Sequence, residues 1–123
     1  MLGMGVDIVE LARIEAALER QGLALAQRVL TEAEFAQFQQ SNYPSRLLAK
    51  RFAAKEAVSK ALGTGIAKGV GFQGIEIAHD SLGAPVVRLQ DGALARLHAL
   101  GGSKCWVSIS DERHYVVACA ILA

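Results

Sequence analysis

Residues 51–65 read RFAAKEAVSKALGTG, and the fold turns on how this stretch is read. At about 100° per residue, Ala53, Ala54, Ala57, Val58 and Ala61 gather on one side of a helix. Side chains this small let a helix backbone lie close to whatever it packs against. The other half-circle carries Arg51, Lys55, Glu56, Ser59 and Lys60, with Phe52 intruding. Glu56 and Lys60 stand four apart, and on a solvated surface such a pair contributes only about 0.2–0.5 kcal/mol. Gly63 stops the helix, but Gly65 two residues on is more than a stop requires. Glycines remove side chains where a backbone must approach something closely. The Thr64 hydroxyl and bare N–H groups beside lysines suit phosphate oxygens. The Gly-x-x-x-x-Gly-Lys-Ser/Thr pattern is missing, so this is no P-loop.

Outward from this helix, the first half of the chain is helical and the second half is not. Residues 2–8 predict a short apolar strand, with Asp7 as its anomaly. Leu11, Ile14 and Leu18 give a helix through residues 9–22, stopped by Gly22, with Arg13 and Arg20 on nearly one face. A second short helix follows over residues 23–30. Thr31 and Glu34 have capping-box spacing, with Leu30 and Phe35 placed for a hydrophobic staple, so a third helix runs to about Gln40. Pro44 fits the first turn of the long helix, which reaches about Leu62. Beyond it, residues 72–80, 85–89, 104–110 and 115–122 read as strands, with a helix over residues 91–102. The last two runs are apolar on both faces and are joined by Asp111–His114, which predicts a central hairpin covered on both sides or by other subunits. The class is α+β: an N-terminal strand and helices, with a long central helix packed on a mainly antiparallel sheet, as one domain over 1–123.

Composition narrows the function classes. Hydrophobic residues make up 52% of 123 residues and mean hydropathy is +0.28, an excess that hints at subunit interfaces. The net charge of +1 does not mark a nucleic-acid binder, so an anionic partner must meet a local patch. No run of about 18 apolar residues predicts a membrane span, and Asp7 comes too early for a signal peptide. Cys105 and Cys119 read as reduced thiols of a cytosolic protein, without the spacing of a zinc site. His79, His98 and His114 show no metal-ligand spacing and read as surface or hairpin residues.

Asp7 gives Glu56 a partner. Magnesium takes one or two protein carboxylates and completes its shell with water and substrate phosphates. One acid on a strand and one on an apposed helix, among cations that a bound diphosphate would attract, fits that economy.

The chain resembles the holo-acyl-carrier-protein synthases of the 4′-phosphopantetheinyl transferase superfamily over essentially its full length. GMGVDIVELARI at 3–14 is similar to the family's opening strand and helix. LAKRFAAKEAVSKALGTGI at 48–66 contains the superfamily pattern Lys-Glu-Ala-x-x-Lys, and VSISDERHYVVACAI at 107–121 is similar to its closing hairpin. The resemblance implies Mg²⁺-dependent transfer of 4′-phosphopantetheine from coenzyme A to a serine of apo-acyl carrier protein in fatty acid biosynthesis, releasing adenosine 3′,5′-bisphosphate. It implies Asp7 and Glu56 as metal ligands, with Glu56 and Lys60 catalytic. Arg51, Lys60, the Gly63-Thr64-Gly65 turn and Pro85 would meet coenzyme A, with Lys55 a weaker candidate. It also implies a cytoplasmic homotrimer with interfacial sites and an acidic carrier, which Arg13, Arg20 and Arg28 would dock.

Two departures stand out. Many members carry a histidine after Val-Ser-Ile-Ser, where this chain has Asp111; an ionised aspartate cannot bond phosphate as a cation does, so Asp111 is a weak catalytic candidate. The usual Gly-Lys-Pro turn is Gly83-Ala84-Pro85, one cation short. The serine's proton is left to a metal-bound water or a carboxylate. A non-catalytic nucleotide-binding module, or a transferase for secondary-metabolism carriers, stands as the alternative.

Overall fold

The computed structural model describes residues 1–123. In chain order it contains β1 (Gly3–Glu10), α1 (Leu11–Gln21), α2 (Leu23–Val29), α3 (Glu32–Gln40) and α4 (Pro44–Ala61). A 3₁₀ turn (Phe72–Gly74) then leads to β2 (Ile75–His79), β3 (Pro85–Leu89), α5 (Asp91–Ala99), β4 (Cys105–Asp111) and β5 (Tyr115–Leu122). The expected stops and caps act where they were read. Gly22, at φ 63°, donates its N–H to the Leu18 carbonyl and separates α1 from α2. Both halves of the Thr31–Glu34 capping box form.

Several boundaries differ from the sequence reading: α5 ends at Ala99 rather than at residue 102, and β4 takes in Asp111. Val9 and Glu10 belong to β1 rather than to the first helix, because the ladder with β5 continues to the pair Glu10–Tyr115. Phe72–Gly74 is a 3₁₀ turn rather than the start of β2, closed by the Gly74 N–H on the Gly71 carbonyl.

The strands form two antiparallel sheets, one ordered β1-β5-β4 and one pairing β2 with β3. The β4–β5 hairpin forms as expected, and β1 on the far side of β5 makes β5 central. Cross-strand partners share a face, so the rows Gly5–Ala120–Val107 and Asp7–Ala118–Ile109 point one way. The rows Met4–Ile121–Trp106 and Val6–Cys119–Ser108 point the other. The first face is covered: Val116, Ala118, Ala120 and Leu122 are inaccessible to solvent. The second is apolar yet open, with Met4, Val6, Ile8 and Trp106 between 51% and 63% exposed. Within one chain the hairpin is therefore covered on one side.

α4 supplies the cover. Ala53, Ala54, Ala57 and Val58 are fully buried, and opposite them β1 has no side chains at Gly3 and Gly5. A Cβ on Gly5 would lie 2.1 Å from the Ala57 carbonyl oxygen, and one on Gly3 would lie 2.2 Å from that of Ala61. The strand thus rests directly on the helix backbone, as the alanine stripe predicts.

Candidate functional site

Two residues after Gly5, the strand period returns a side chain to the α4 side of the sheet, and that residue is Asp7. Asp7 and Glu56 line one cleft of about 420 Å³, together with Arg13, Ile14 and Phe52. Asp7 is largely buried. Its Oδ1 accepts a hydrogen bond from Lys60 Nζ at 2.9 Å, and the same ammonium donates to the Val6 carbonyl at 3.1 Å. Lys60 therefore reaches across to β1 instead of pairing with Glu56 on its own helix. Asp7 Oδ2 is buried with no hydrogen-bond partner, a state that costs free energy unless something meets it.

Glu56 is strained electrostatically. Burial, and after it the charge of Asp7, push its carboxyl above the usual value, with Lys60 opposing. A hard cation between the acids would relieve both conditions, the orphaned oxygen and the carboxylate repulsion. No group of three or more metal-ligating side chains exists, so this is not a closed protein cage. Two oxygen donors in an open cleft fit an ion that keeps most of its shell for water and phosphate.

A second cleft, of about 400 Å³, opens at the opposite face of α4 and is lined by Arg46, Lys50, Arg51, His79, Pro85 and Asp111 among others. Arg51 is almost buried; its Nη2 donates to Gln37 Oε1 at 3.2 Å and its Nε lacks a hydrogen-bond partner. Arg46 donates to Asp111 Oδ2 at 2.8 Å and to the carbonyls of Glu112 and Arg113, at 2.7 and 3.3 Å. Lys50 Nζ lies 3.4 Å from Asp111 Oδ1. Burial pushes the Asp111 carboxyl up, but the Arg46 hydrogen bond and the Lys50 charge outweigh it and hold the group below the usual range. His79, read from sequence as a surface or hairpin residue, is exposed but belongs to this cleft. Its imidazole is held down by burial and then by Arg51 and Lys50.

Two expectations are corrected. Lys55 meets no ligand: its fully buried ammonium donates to Glu34 Oε1 at 2.6 Å and to the carbonyls of Val29 and Phe72, at 2.7 and 3.0 Å. Nor does the Gly63-Thr64-Gly65 turn offer bare donors. The Gly63 N–H bonds the Lys60 carbonyl, those of Thr64 and Gly65 both bond Ser59, and the Thr64 hydroxyl donates to the Gly65 carbonyl. Positive φ at Gly63 and Gly65 (81° and 63°) serves this helix end.

Of the other expected residues, Arg13 borders the acid cleft, while Arg20 and Arg28 are exposed on α1 and α2. Asp111 and Pro85 lie in the basic cleft, and the two clefts share no lining residue. The sequence reading missed Arg46 and Lys50, although their spacing of four places both on one helix face. It also missed that Glu34, beyond its capping role, receives Lys55 and the Ile77 N–H.

The profile described as 4′-phosphopantetheinyl transferase superfamily matches residues 3–120. A holo-acyl-carrier-protein synthase of Shewanella amazonensis is 62% identical, over 99% of this chain and 98% of the relative. Among solved structures, the holo-acyl-carrier-protein synthase of Neisseria meningitidis superposes with a TM-score of 0.93 at 44% identity, covering 100% of this chain and 98% of that one. That of Helicobacter pylori, in complex with coenzyme A, gives 0.85 at 30% identity, covering 98% and 99%.

Proposed function

This chain belongs to the 4′-phosphopantetheinyl transferase superfamily, and from that premise we propose that it transfers 4′-phosphopantetheine from coenzyme A to a serine hydroxyl of an apo-acyl carrier protein. The by-product is adenosine 3′,5′-bisphosphate, and the pathway served is fatty acid synthesis. The observation that carries this reading is the acid cleft, which both Asp7 and Glu56 line, with Lys60 bonded to Asp7 and one buried Asp7 oxygen unpartnered.

Phosphoryl transfer asks a protein for positioning and charge neutralisation more than for covalent help. Asp7 and Glu56 would hold Mg²⁺, which when bound neutralises and orients a diphosphate. Lys60, about half exposed and hydrogen-bonded to Asp7, can turn its ammonium toward charge developing on the transferred phosphoryl group. On the other side of α4, Arg51 and its neighbours hold the nucleotide end of the coenzyme against Pro85. In the empty cleft both Asp111 oxygens are paired with cations, which argues against Asp111 as the general base. Arg13 stands where an acidic carrier would present its serine to the acid cleft, and Arg20 and Arg28 extend that basic edge along α1 and α2.

One coenzyme cannot readily use two clefts on opposite faces of α4 within one chain. The open apolar face of the β1-β5-β4 sheet supplies a reason for copies to associate. Assembly as a homotrimer sets the acid cleft of one copy beside the basic cleft of its neighbour. No helix is long and apolar enough to cross a membrane, in keeping with a cytoplasmic site of action. The test is incubation with coenzyme A, Mg²⁺ and an apo-acyl carrier protein, followed by intact-mass measurement. The carrier gains one phosphopantetheinyl group; no gain on any apo-carrier would leave a non-catalytic binding module.

A further inference from the structure

The basic cleft contains one acid, and that acid is part of its wall. Asp111 spends Oδ2 on Arg46 at 2.8 Å and Oδ1 on Lys50 at 3.4 Å, so both oxygens neutralise cations that line the cavity. The two cations are secured differently. Arg46 also donates to the carbonyls of Glu112 and Arg113, so the β4–β5 turn holds it whether or not the carboxylate is charged. Lys50 has Asp111 as its one ion-pair partner, and no backbone carbonyl holds its ammonium. Arg51, whose Nε faces the buried Glu34 carboxylate at 3.9 Å, adds its charge to the wall without being neutralised by Asp111. Donors of this kind converge best on an oxyanion with more lone pairs and more charge than a carboxylate, such as a phosphate ester.

On the coenzyme reading given above, on which this rests, we propose that Asp111 is a tethered competitor anion. It occupies Lys50 in the empty cleft, yields it to a nucleotide phosphate of the coenzyme, and retakes it as the bisphosphate product leaves. The physical need is plain. Substrate and by-product carry the same nucleotide phosphates, so a cleft of cations tight enough to hold the one also holds the other and slows its release. A carboxylate fixed on β4 competes at high effective concentration and is never diluted away. Its cost to a bound phosphate is about that of one exposed ion pair, a factor of up to about fivefold in affinity, and it shrinks as salt screens the pair.

The experiment is calorimetric titration of adenosine 3′,5′-bisphosphate into wild type, Asp111→Asn and Asp111→Glu at low salt, with dissociation rates from stopped flow. Asp111→Asn binds about threefold to fivefold more tightly and releases the ligand more slowly. Asp111→Glu, which keeps the charge, stays near wild type, and the gap between Asn and wild type closes at high salt. Asp111→Ser replaces the amide should Asp111→Asn fail to fold. Equal or weaker binding by the neutral variants overturns the proposal. Its failure is separable from that of the functional reading: a wild type that modifies no carrier sinks the latter. A wild type that transfers normally, with Asp111→Asn binding no more tightly, sinks only the competitor role.

Discussion

Gly5→Ala is the substitution that bears hardest on how this site is built. An alanine Cβ at position 5 would sit 2.1 Å from the Ala57 carbonyl oxygen, 2.7 Å from the Ala61 nitrogen and 2.9 Å from the Lys60 Cβ. The first two are backbone atoms of α4, so no rotamer change relieves them, and truncating Ala57 would not help. Ordinary contact begins near 3.4 Å, so β1 must retreat from the helix by more than an ångström. Overpacking of this severity costs about 3 kcal/mol, the upper end for one added methyl. In a chain of this length that lowers the melting temperature by roughly 10 °C. The consequence for the site is larger. Asp7 is two residues along the same strand, and an ångström of displacement between groups that act together can cost on the order of a hundredfold in rate. Thermal unfolding at fixed protein concentration gives the first quantity, and the intact-mass assay on apo-carrier gives the second. Gly5→Ala with wild-type melting and wild-type transfer would show that β1 does not rest on α4 as described.

Lys55→Met leaves the buried Glu34 carboxylate with only Arg51, 3.9 Å away, as a cation and costs about 3 kcal/mol in urea unfolding. Adding Glu34→Gln restores part of that, and a loss below about 1 kcal/mol for the single variant would refute the buried Lys55–Glu34 pair. At Glu56, burial and Asp7 raise the native carboxyl's pKa, so the folded chain keeps this proton to higher pH than the unfolded chain does. That contribution to stability is complete at acid pH and is lost as pH rises through the ordinary carboxylate value into the raised one. Glu56→Gln removes this pH dependence, melts higher than wild type at neutral pH without metal, and loses transfer by on the order of a hundredfold or more; melting curves that track wild type at every pH would contradict the shift. Mg²⁺ raises the melting temperature of wild type, by mass action, but not that of this variant. Ile8→Glu places a charge on the open sheet face, where the side chain is largely exposed in one chain. It leaves the circular dichroism spectrum unchanged while sedimentation reports a smaller species and transfer falls with it; an unaltered assembly would rule that face out.

Much of this was legible because local chemistry decided it. The capping box at Thr31 and Glu34, the stop at Gly22 and the proline entering α4 are all settled by neighbours in sequence, and each forms. What could not be read depends on partners far along the chain. Lys55 and Lys60 are chemically identical, five residues apart in one motif, yet one is sealed in the core and the other stands at a cleft. The difference is Glu34, 21 residues before Lys55, and the pattern around residue 55 does not contain it. The Gly63-Thr64-Gly65 turn misled for a related reason. A glycine placed to finish a helix and one placed to receive a phosphate look the same until the N–H groups are accounted for, and here the helix takes them. Arg46 shows the converse, since its acceptors at Asp111, Glu112 and Arg113 lie 65 to 67 residues away.

The weak amphipathicity of α4 follows from the same accounting. A helix that buries one stripe and solvates the rest separates its residue types cleanly. α4 instead meets β1 and β5 with alanines, sends Arg51 and Lys50 to one cleft, turns Glu56 to another, and drives Lys55 into an ion pair beneath α3. Each of these contacts is specific, and together they leave no face free to be merely polar. A helix used on every side places the acid and basic halves of the site apart, because positions 51 and 56 differ by about 140° around its axis. The same chain therefore presents two separate clefts and, on the exposed side of its sheet, an open apolar surface. On the proposed reading, association and chemistry are linked: a central helix this fully engaged does not gather the acid and basic clefts on one side, and a second copy could complete the site.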